Sequence, residues 1–552
     1  MKSLACGLMS LVLFLTPFTF AADGDALRSL PVQADGRVKP FDSFAREMLE
    51  LIYGKQKFET RDAYEIILTW MLAPEPWQNR ELFEVRNFEV LTHLGLDTQK
   101  RHYKGSELFV GPKFAELRQE LALKRESKEK LTPYFQALQR LENQFFVFSE
   151  IATGRMIRLI PPTPGAESDA WVAIADMQGE AQEKFLDITK SFIALISGAT
   201  EGRSSEDLSR VAKALDEKVL AFEAYARSVN PERYVDANKI KIEAFYNKFH
   251  PFKWSYIFYL LGAVVVLFTW ITGKNRAMVL AWSLLSVGFV LHTAGFGIRA
   301  YLMERAPVTN MYETVVWVAW GSLVFAAILE KIYKFKFIIM AGGIIAAFGM
   351  IIADTAPVVL DPSLQPLEPV LRSNYWLTIH VMTITISYAA FFLAFALGDI
   401  GLFYFLKGEA KNKDKIRAIA MSIYRSIQIG VVFLAPGIIL GGIWADYSWG
   451  RFWGWDPKET WALIVLLGYL AVIHGRLVGW VREFGMVVSG VITFALVIMA
   501  WYGVNFVLGA GLHSYGFGAG GVEYVSGFIV VHILLVVYAA VVRNARLKQA
   551  GS

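Results

Sequence analysis

The 552-residue sequence predicts an all-α protein: a polytopic membrane helix bundle of about eight or nine spans behind a mostly helical extracytoplasmic domain. Three observations carry that expectation. From residue 251 onward the chain is a series of apolar runs of about 17–25 residues, the length that crosses a bilayer as a helix. Before residue 251 charge is dense, as in Lys124-Arg125-Glu126-Ser127-Lys128-Glu129-Lys130. The overall composition, 55% hydrophobic and 19% charged, is the average of these two unlike halves.

The elements are taken in chain order. Lys2, an apolar run to Phe20 and the small-residue site Thr19-Phe20-Ala21 make residues 1–22 a signal peptide or signal anchor, so the chain beyond residue 22 is exported. The single cysteine, Cys6, lies in this segment, and one cysteine excludes an internal disulfide. No C-x-x-C-H occurs, so the chain is not itself a c-type cytochrome. Residues 23–250 are expected to be helical around 44–53, 63–73, 114–149, 180–197 and 205–248, where apolar side chains recur near every 3.6 residues. Ser205-Glu206-Asp207 gives one of these a good first turn, and Pro161 to Gly165 is a loop. No catalytic motif stands out there. His93 and His102 are lone histidines in polar surroundings, as on an ordinary surface.

Residues 251–552 should hold spans near 254–273, 278–298, 313–329, 337–353, 376–405, 428–444, 460–476 and 484–507, with a ninth near 525–542. With 23–250 outside, sixteen Lys and Arg fall in inside loops and the tail, against five in outside loops. That asymmetry is the positive-inside pattern and agrees with the export signal. The chain is therefore expected in the bacterial cytoplasmic (inner) membrane, multi-pass, with 23–250 on the periplasmic side. The net charge of +5 is a topology signal, not a nucleic-acid footprint.

One outward loop is unusual. Trp449-Gly450-Arg451-Phe452-Trp453-Gly454-Trp455-Asp456-Pro457-Lys458-Glu459-Thr460-Trp461 has four tryptophans in thirteen residues, and Trp444 precedes it. Indoles belong at a membrane–water boundary, and a dense group of them can carry a flat apolar ligand. Asp456 and Glu459 also have a plain structural reading: Asp as N-cap, Pro at the first helical position and Glu reaching back. His380 and His513 flank this shelf in sequence and fall on the same side of the membrane. Two neutral imidazoles can fill both axial positions of a heme. Arg451 or Arg305 could pair with its propionates. His474, beside Arg476 at the inner end of its span, is placed to ligate a second heme in the membrane. For His292 and His532 a helix–helix hydrogen bond is sufficient explanation.

The pattern W-G-x-x-W-x-W-D-x-x-E resembles the tryptophan signature of heme-handling proteins of cytochrome c biogenesis, and the membrane half looks like CcsA (ResC) of the system II synthase. Ser373 to His380 and Ala306 to Glu313 resemble that family's outer segments, and His513 and His474 fall where it has histidines. Leu30 to Asp42 resembles the exported region that precedes the CcsA part of fused CcsB-CcsA proteins. The resemblance implies a holocytochrome c synthase subunit with heme b as substrate, received across the membrane near His474 and held at His380 and His513. Trp444, Trp449, Trp453, Trp455, Arg451, Asp456 and Glu459 would lie around it. No residue would serve as nucleophile, because the apocytochrome c brings its own thiols. A CcsB/ResB-like subunit is implied as partner, with a thioredoxin-like reductant also possible. The alternatives are a diheme quinol-linked transmembrane electron carrier and a system I-type heme delivery protein.

Overall fold

The computed structural model describes residues 25–127, 131–201, 203–356, 359–366, 374–508 and 521–551. The chain divides into two compact units, with the boundary between Lys248 and Phe249.

The first unit is helical with a minority of short strands that helical periodicity did not anticipate. Strands β1 (Pro31–Ala34) and β2 (Arg37–Pro40) form a hairpin whose register pairs Ala34 with Arg37. The two-residue loop Asp35-Gly36 has positive φ at both positions, 49° and 77°. That is the left-handed loop Asp-Gly favours because it matches the twist of paired strands. The short ribbons β3 (Lys57–Phe58) with β4 (Arg61–Asp62), and β5 (Glu81–Glu84) with β6 (His102–Lys104), stand apart. Strands β7 (Arg158–Ile160) and β8 (Val172–Ala173) extend the hairpin into a four-stranded sheet of order β2-β1-β7-β8.

Two of the long helical runs expected from the sequence are broken where proline dictates. The 114–149 run is Pro112–Glu126 and Pro133–Ala152, with Pro133 opening the second helix. The 205–248 run is Ser205–Val229 and Ala237–Phe249, interrupted after Asn230 by Pro231. The core is continuous and apolar, with Phe44, Leu49, Ile66 and Trp70 fully buried. One buried cation is satisfied beside the hairpin: the Lys39 ammonium contacts Glu47 and lies 2.8 Å from Asp35. Burial pushes the Glu47 carboxyl up to about 7, with the Lys39 ammonium opposing that rise.

In the second unit, nine helices among the described residues are long and apolar enough to cross a membrane. They are α1 (Pro251–Thr272), α2 (Ala277–Met303), α3 (Met311–Tyr333), α4 (Phe337–Thr355), α5 (Asn374–Lys407), α6 (Lys413–Trp449), α7 (Pro457–Leu477), α8 (Glu483–Leu508) and α9 (Val522–Gly551). Each corresponds to one of the nine apolar runs in the sequence. The second unit is a polytopic helical membrane domain.

Helices α5 and α6 pack closely because small residues on α6 face large ones on α5. A Cβ at Gly430 would meet the Phe391 ring at 2.2 Å, and one at Gly437 would meet Ile384 at 3.0 Å. Small residues at a helix interface allow this approach in a membrane, where the apolar lipid gives helices little hydrophobic reason to associate. Helix α8 changes character along its length: it is α-helical to Ile498 and π-helical over Met499–Leu508.

Candidate functional site

A cleft of about 160 Å³ opens where the starts of α3, α5 and α7 meet the ends of α6 and α8. Its walls are mostly apolar, with a few polar groups converging from different helices.

His380, nearly two turns into α5, lines this cleft. Its Nδ1 lies 2.9 Å from the carbonyl oxygen of Gly437 on α6. A carbonyl can only accept, so Nδ1 carries the proton, and in the neutral ring Nε2 holds the lone pair. This is the arrangement that orients a metal-binding imidazole: one nitrogen donates to the protein while the other keeps its basicity. The ring lies parallel to the buried Trp444, with centroids 6.3 Å apart and an interplanar angle of 5°. Gly441 makes room for it, since a Cβ there would come within 2.6 Å of the imidazole Cε1.

The tryptophans separate into two groups. Trp444 and Trp453 line the cleft. Trp449 packs edge-on behind Trp444 at 4.7 Å, and Arg451 lies over it at 5.9 Å. Trp455 is perpendicular to Trp453 and 70% exposed, outside the cleft. The aromatic surface is therefore built from Trp444, Trp453 and a residue the motif did not flag: Trp501 on α8, whose indole N–H donates to Thr314 of α3 at 3.1 Å.

The start of α7 has the capping box expected from Asp456-Pro457-x-Glu459. Asp456 Oδ1 accepts from the Lys458 backbone N–H at 2.9 Å, and Glu459 Oε2 accepts from the backbone N–H groups of Asp456 at 3.2 Å and Gly454 at 2.8 Å. Arg451 lies 3.9 Å from the other Glu459 oxygen. The capping box holds Glu459 and Lys458 at the cleft wall. Lys458, counted from sequence only as a loop charge, reaches α8, with Nζ 3.0 Å from Asn505 Oδ1 and 3.4 Å from the Trp501 carbonyl.

Arg305 is not placed to meet a ligand. It and Arg299 bracket the buried Glu313 carboxylate, each at 2.9 Å. Both guanidiniums also bond carbonyls of the 359–366 segment: Arg299 to Pro362 at 2.8 Å and Arg305 to Gln365 at 2.8 Å. Glu313 further accepts from the Thr309 backbone N–H at 2.9 Å, and Asn310 caps α3. This Arg–Glu–Arg cluster fixes residues 308–311, which form one lip of the cleft. Breaking such a buried pair on one side leaves an uncompensated charge, a loss of about 3–5 kcal/mol.

The other histidines lie elsewhere. His292 is buried between Tyr259 (3.0 Å to the hydroxyl) and the Val316 carbonyl (3.2 Å), an interhelical hydrogen bond of the kind expected from sequence. His532 on α9 lies 3.5 Å from Asp399 on α5, and its Nδ1–H donates to Phe528. His474 is exposed near the end of α7, its Nδ1–H on the Leu470 carbonyl at 2.7 Å. His513 lies outside the described residues. Among the described residues no group of three His, Cys, Asp or Glu is placed to hold a bare metal ion. An iron already held by a macrocycle needs only axial ligands from protein.

Residues 308–513 match a family model described as Cytochrome C assembly protein, a segment that includes every residue lining the cleft. NrfI of Wolinella succinogenes is 29% identical over 518 residues, covering 89% of this chain and 54% of NrfI. That coverage is too long to be confined to the membrane unit. The chain thus spans about half the length of this relative. CcsA of Chlamydomonas reinhardtii is 37% identical over 222 residues, 38% of this chain and 61% of the relative. CcsA of Prochlorococcus marinus is 30% identical over 295 residues, 47% of this chain and 91% of the relative.

Proposed function

The chain belongs to the CcsA family of cytochrome c biogenesis proteins, and from that premise we propose that it holds heme b, its substrate, in the cleft at His380 and presents it for thioether attachment to the C-x-x-C-H of an apocytochrome c. The observation that carries this reading is the His380 imidazole: its Nδ1–H fixed on Gly437, its ring parallel to Trp444, in a cleft that Trp453 and Trp501 also line. The aromatic walls and the glycine that accommodates the imidazole suit a flat macrocycle with iron at its centre.

His380 supplies one axial nitrogen, and His513 is the proposed second. Trp453 and Trp501 exclude water and give flat contact. In the bond-forming step each cysteine sulfur of the apocytochrome adds to one carbon of a heme vinyl group while the thiol hydrogen ends on the other carbon. The addition is redox-neutral at these atoms and needs no protein nucleophile. The part played by this chain is positioning, which can substitute for several kcal/mol of barrier by pre-set orientation (about 7–11 in the best intramolecular cases).

The proposal includes a place for the site. The loop charges and the export signal support a cleft on the periplasmic side of a bacterial inner membrane. His474, at the other end of α7, is the proposed ligand for heme received from the cytoplasmic side, completed by a CcsB/ResB-like subunit. A thioredoxin-like reductant would keep the apocytochrome thiols reduced.

The test is axial ligation. The full-length protein, produced with its partner subunit, is purified and its heme quantified by absorbance. His380→Gly and His513→Gly should each lower heme content and added imidazole should restore it, with a bis-imidazole six-coordinate spectrum. Unchanged heme content in both variants would defeat the assignment.

A further inference from the structure

Lys458 is the charged group at the cleft wall that neither the capping box nor the axial ligation uses. Its backbone N–H serves the cap, but its side chain turns to the π-helical end of α8. There the ammonium meets two neutral oxygens, Asn505 Oδ1 at 3.0 Å and the Trp501 carbonyl at 3.4 Å. Among the described residues no carboxylate lies within 4.0 Å of it. The other charged group lining the cleft, Glu459, is engaged by two backbone N–H groups and Arg451. The α7 N-terminus lies at the same wall and adds positive partial charge.

An ammonium half-buried beside an apolar cleft, hydrogen-bonded only to neutral oxygens and with the Asp456 carboxylate nearby but beyond 4.0 Å, is only partly compensated as a charge. Its two bonds fix its position without cancelling it. A ligand that brings a carboxylate to this wall would complete the pair. An uncharged ligand of the same shape would leave the ammonium desolvated and unpaired.

We propose that Lys458, positioned by Asn505 and the Trp501 carbonyl, is the carboxylate-recognising group of the cleft, selecting a macrocycle with free carboxylates over its ester. The inference rests on the reading of the cleft as a heme site and adds to it which group senses the acidic edge. The role is one of specificity, exerted on binding and orientation, and no bond is made or broken at Lys458.

The experiment uses the full-length protein in detergent, depleted of heme, titrated with ferric heme and with heme dimethyl ester, and followed by the Soret band. Wild type should bind heme at least about tenfold more tightly than the ester, the ratio expected for a charge-assisted hydrogen bond. Lys458→Met should lose that preference, and Lys458→Arg should keep it. Asn505→Asp, which sets a carboxylate against the ammonium, should lower heme affinity while leaving the ester unaffected, a second measure should Lys458→Met fail to fold. Equal binding of heme and ester by wild type, or undiminished preference in Lys458→Met, overturns the role of Lys458 and leaves the heme site standing. Uptake of neither macrocycle by wild type overturns both.

Discussion

At the scale of single residues, the cleft distinguishes side chains that look alike in the sequence. Trp453 and Trp455 are two positions apart in one motif, yet one lines the cleft and the other is exposed. Trp453→Ala should lower heme retention by about tenfold through lost flat contact, while Trp455→Ala should change it by less than about twofold. Heme content of membranes solubilised from both variants, at matched protein levels, checks this; equal losses would count against the placement of the aromatic wall. His380 was legible as a candidate because it flanks the tryptophan loop in sequence together with a second histidine, since an interfacial imidazole alone has an ordinary structural explanation. Trp501 and Asn505 were not, because an apolar span gives no sign of which face its polar residues turn to. Arg299 and Arg305 read as loop charges, and Arg305 also as a potential ligand contact; the structure sets both against Glu313. Only the contact itself, across a bend between α2 and α3, could reveal that.

At the scale of elements, the start of α7 shows local chemistry and ligand chemistry sharing the same atoms. Asp456→Ala removes the cap and should cost about 1 kcal/mol of helix stability. Because the box also fixes Gly454 and Glu459, the same change should loosen Trp453 and Lys458. A lower melting temperature together with weaker heme retention is expected; Asp456→Asn, which can still cap, should recover most of both. A melting temperature unchanged in Asp456→Ala would show that the cap carries nothing. The capping box could be read directly, since its residues are adjacent in sequence. The nine spans were legible for a similar reason: length and hydropathy are properties of a segment alone. The strands of the first unit were not. At two to four residues they are too short for alternation to show, and the Asp35-Gly36 pair, the one turn signal for the hairpin, was not read as one.

At the scale of the whole molecule, charge yields two predictions. The Glu47 carboxyl is held up to about 7 against its ordinary 4.5. The folded first unit therefore prefers this group protonated. Its contribution to stability is full below about pH 4.5 and is lost as pH rises through 7. Limited proteolysis of the full chain in urea should show this unit weaker at pH 8 than at pH 5, and Glu47→Gln should flatten that slope; an unchanged slope would remove Glu47 as its cause. The second prediction concerns orientation. With Cys6 replaced by Ser, Tyr447→Cys at the exposed end of α6 should react in intact cells with a membrane-impermeant maleimide, and Lys411→Cys should react only after permeabilisation. The reverse pattern would invert the topology.

The π-helical stretch of α8 carries a consequence of its own. A π turn holds one more residue than an α turn and bonds to the fifth neighbour instead of the fourth. Trp501 and Asn505 face the cleft in part because the count of residues before them is what it is. Deleting Ala500 alone would shift everything after it by about 100° around the axis. The span would keep its length and its oiliness, yet its indole would point at a different neighbour. In α8, then, the facing of a binding wall is written in the number of residues as much as in their kinds.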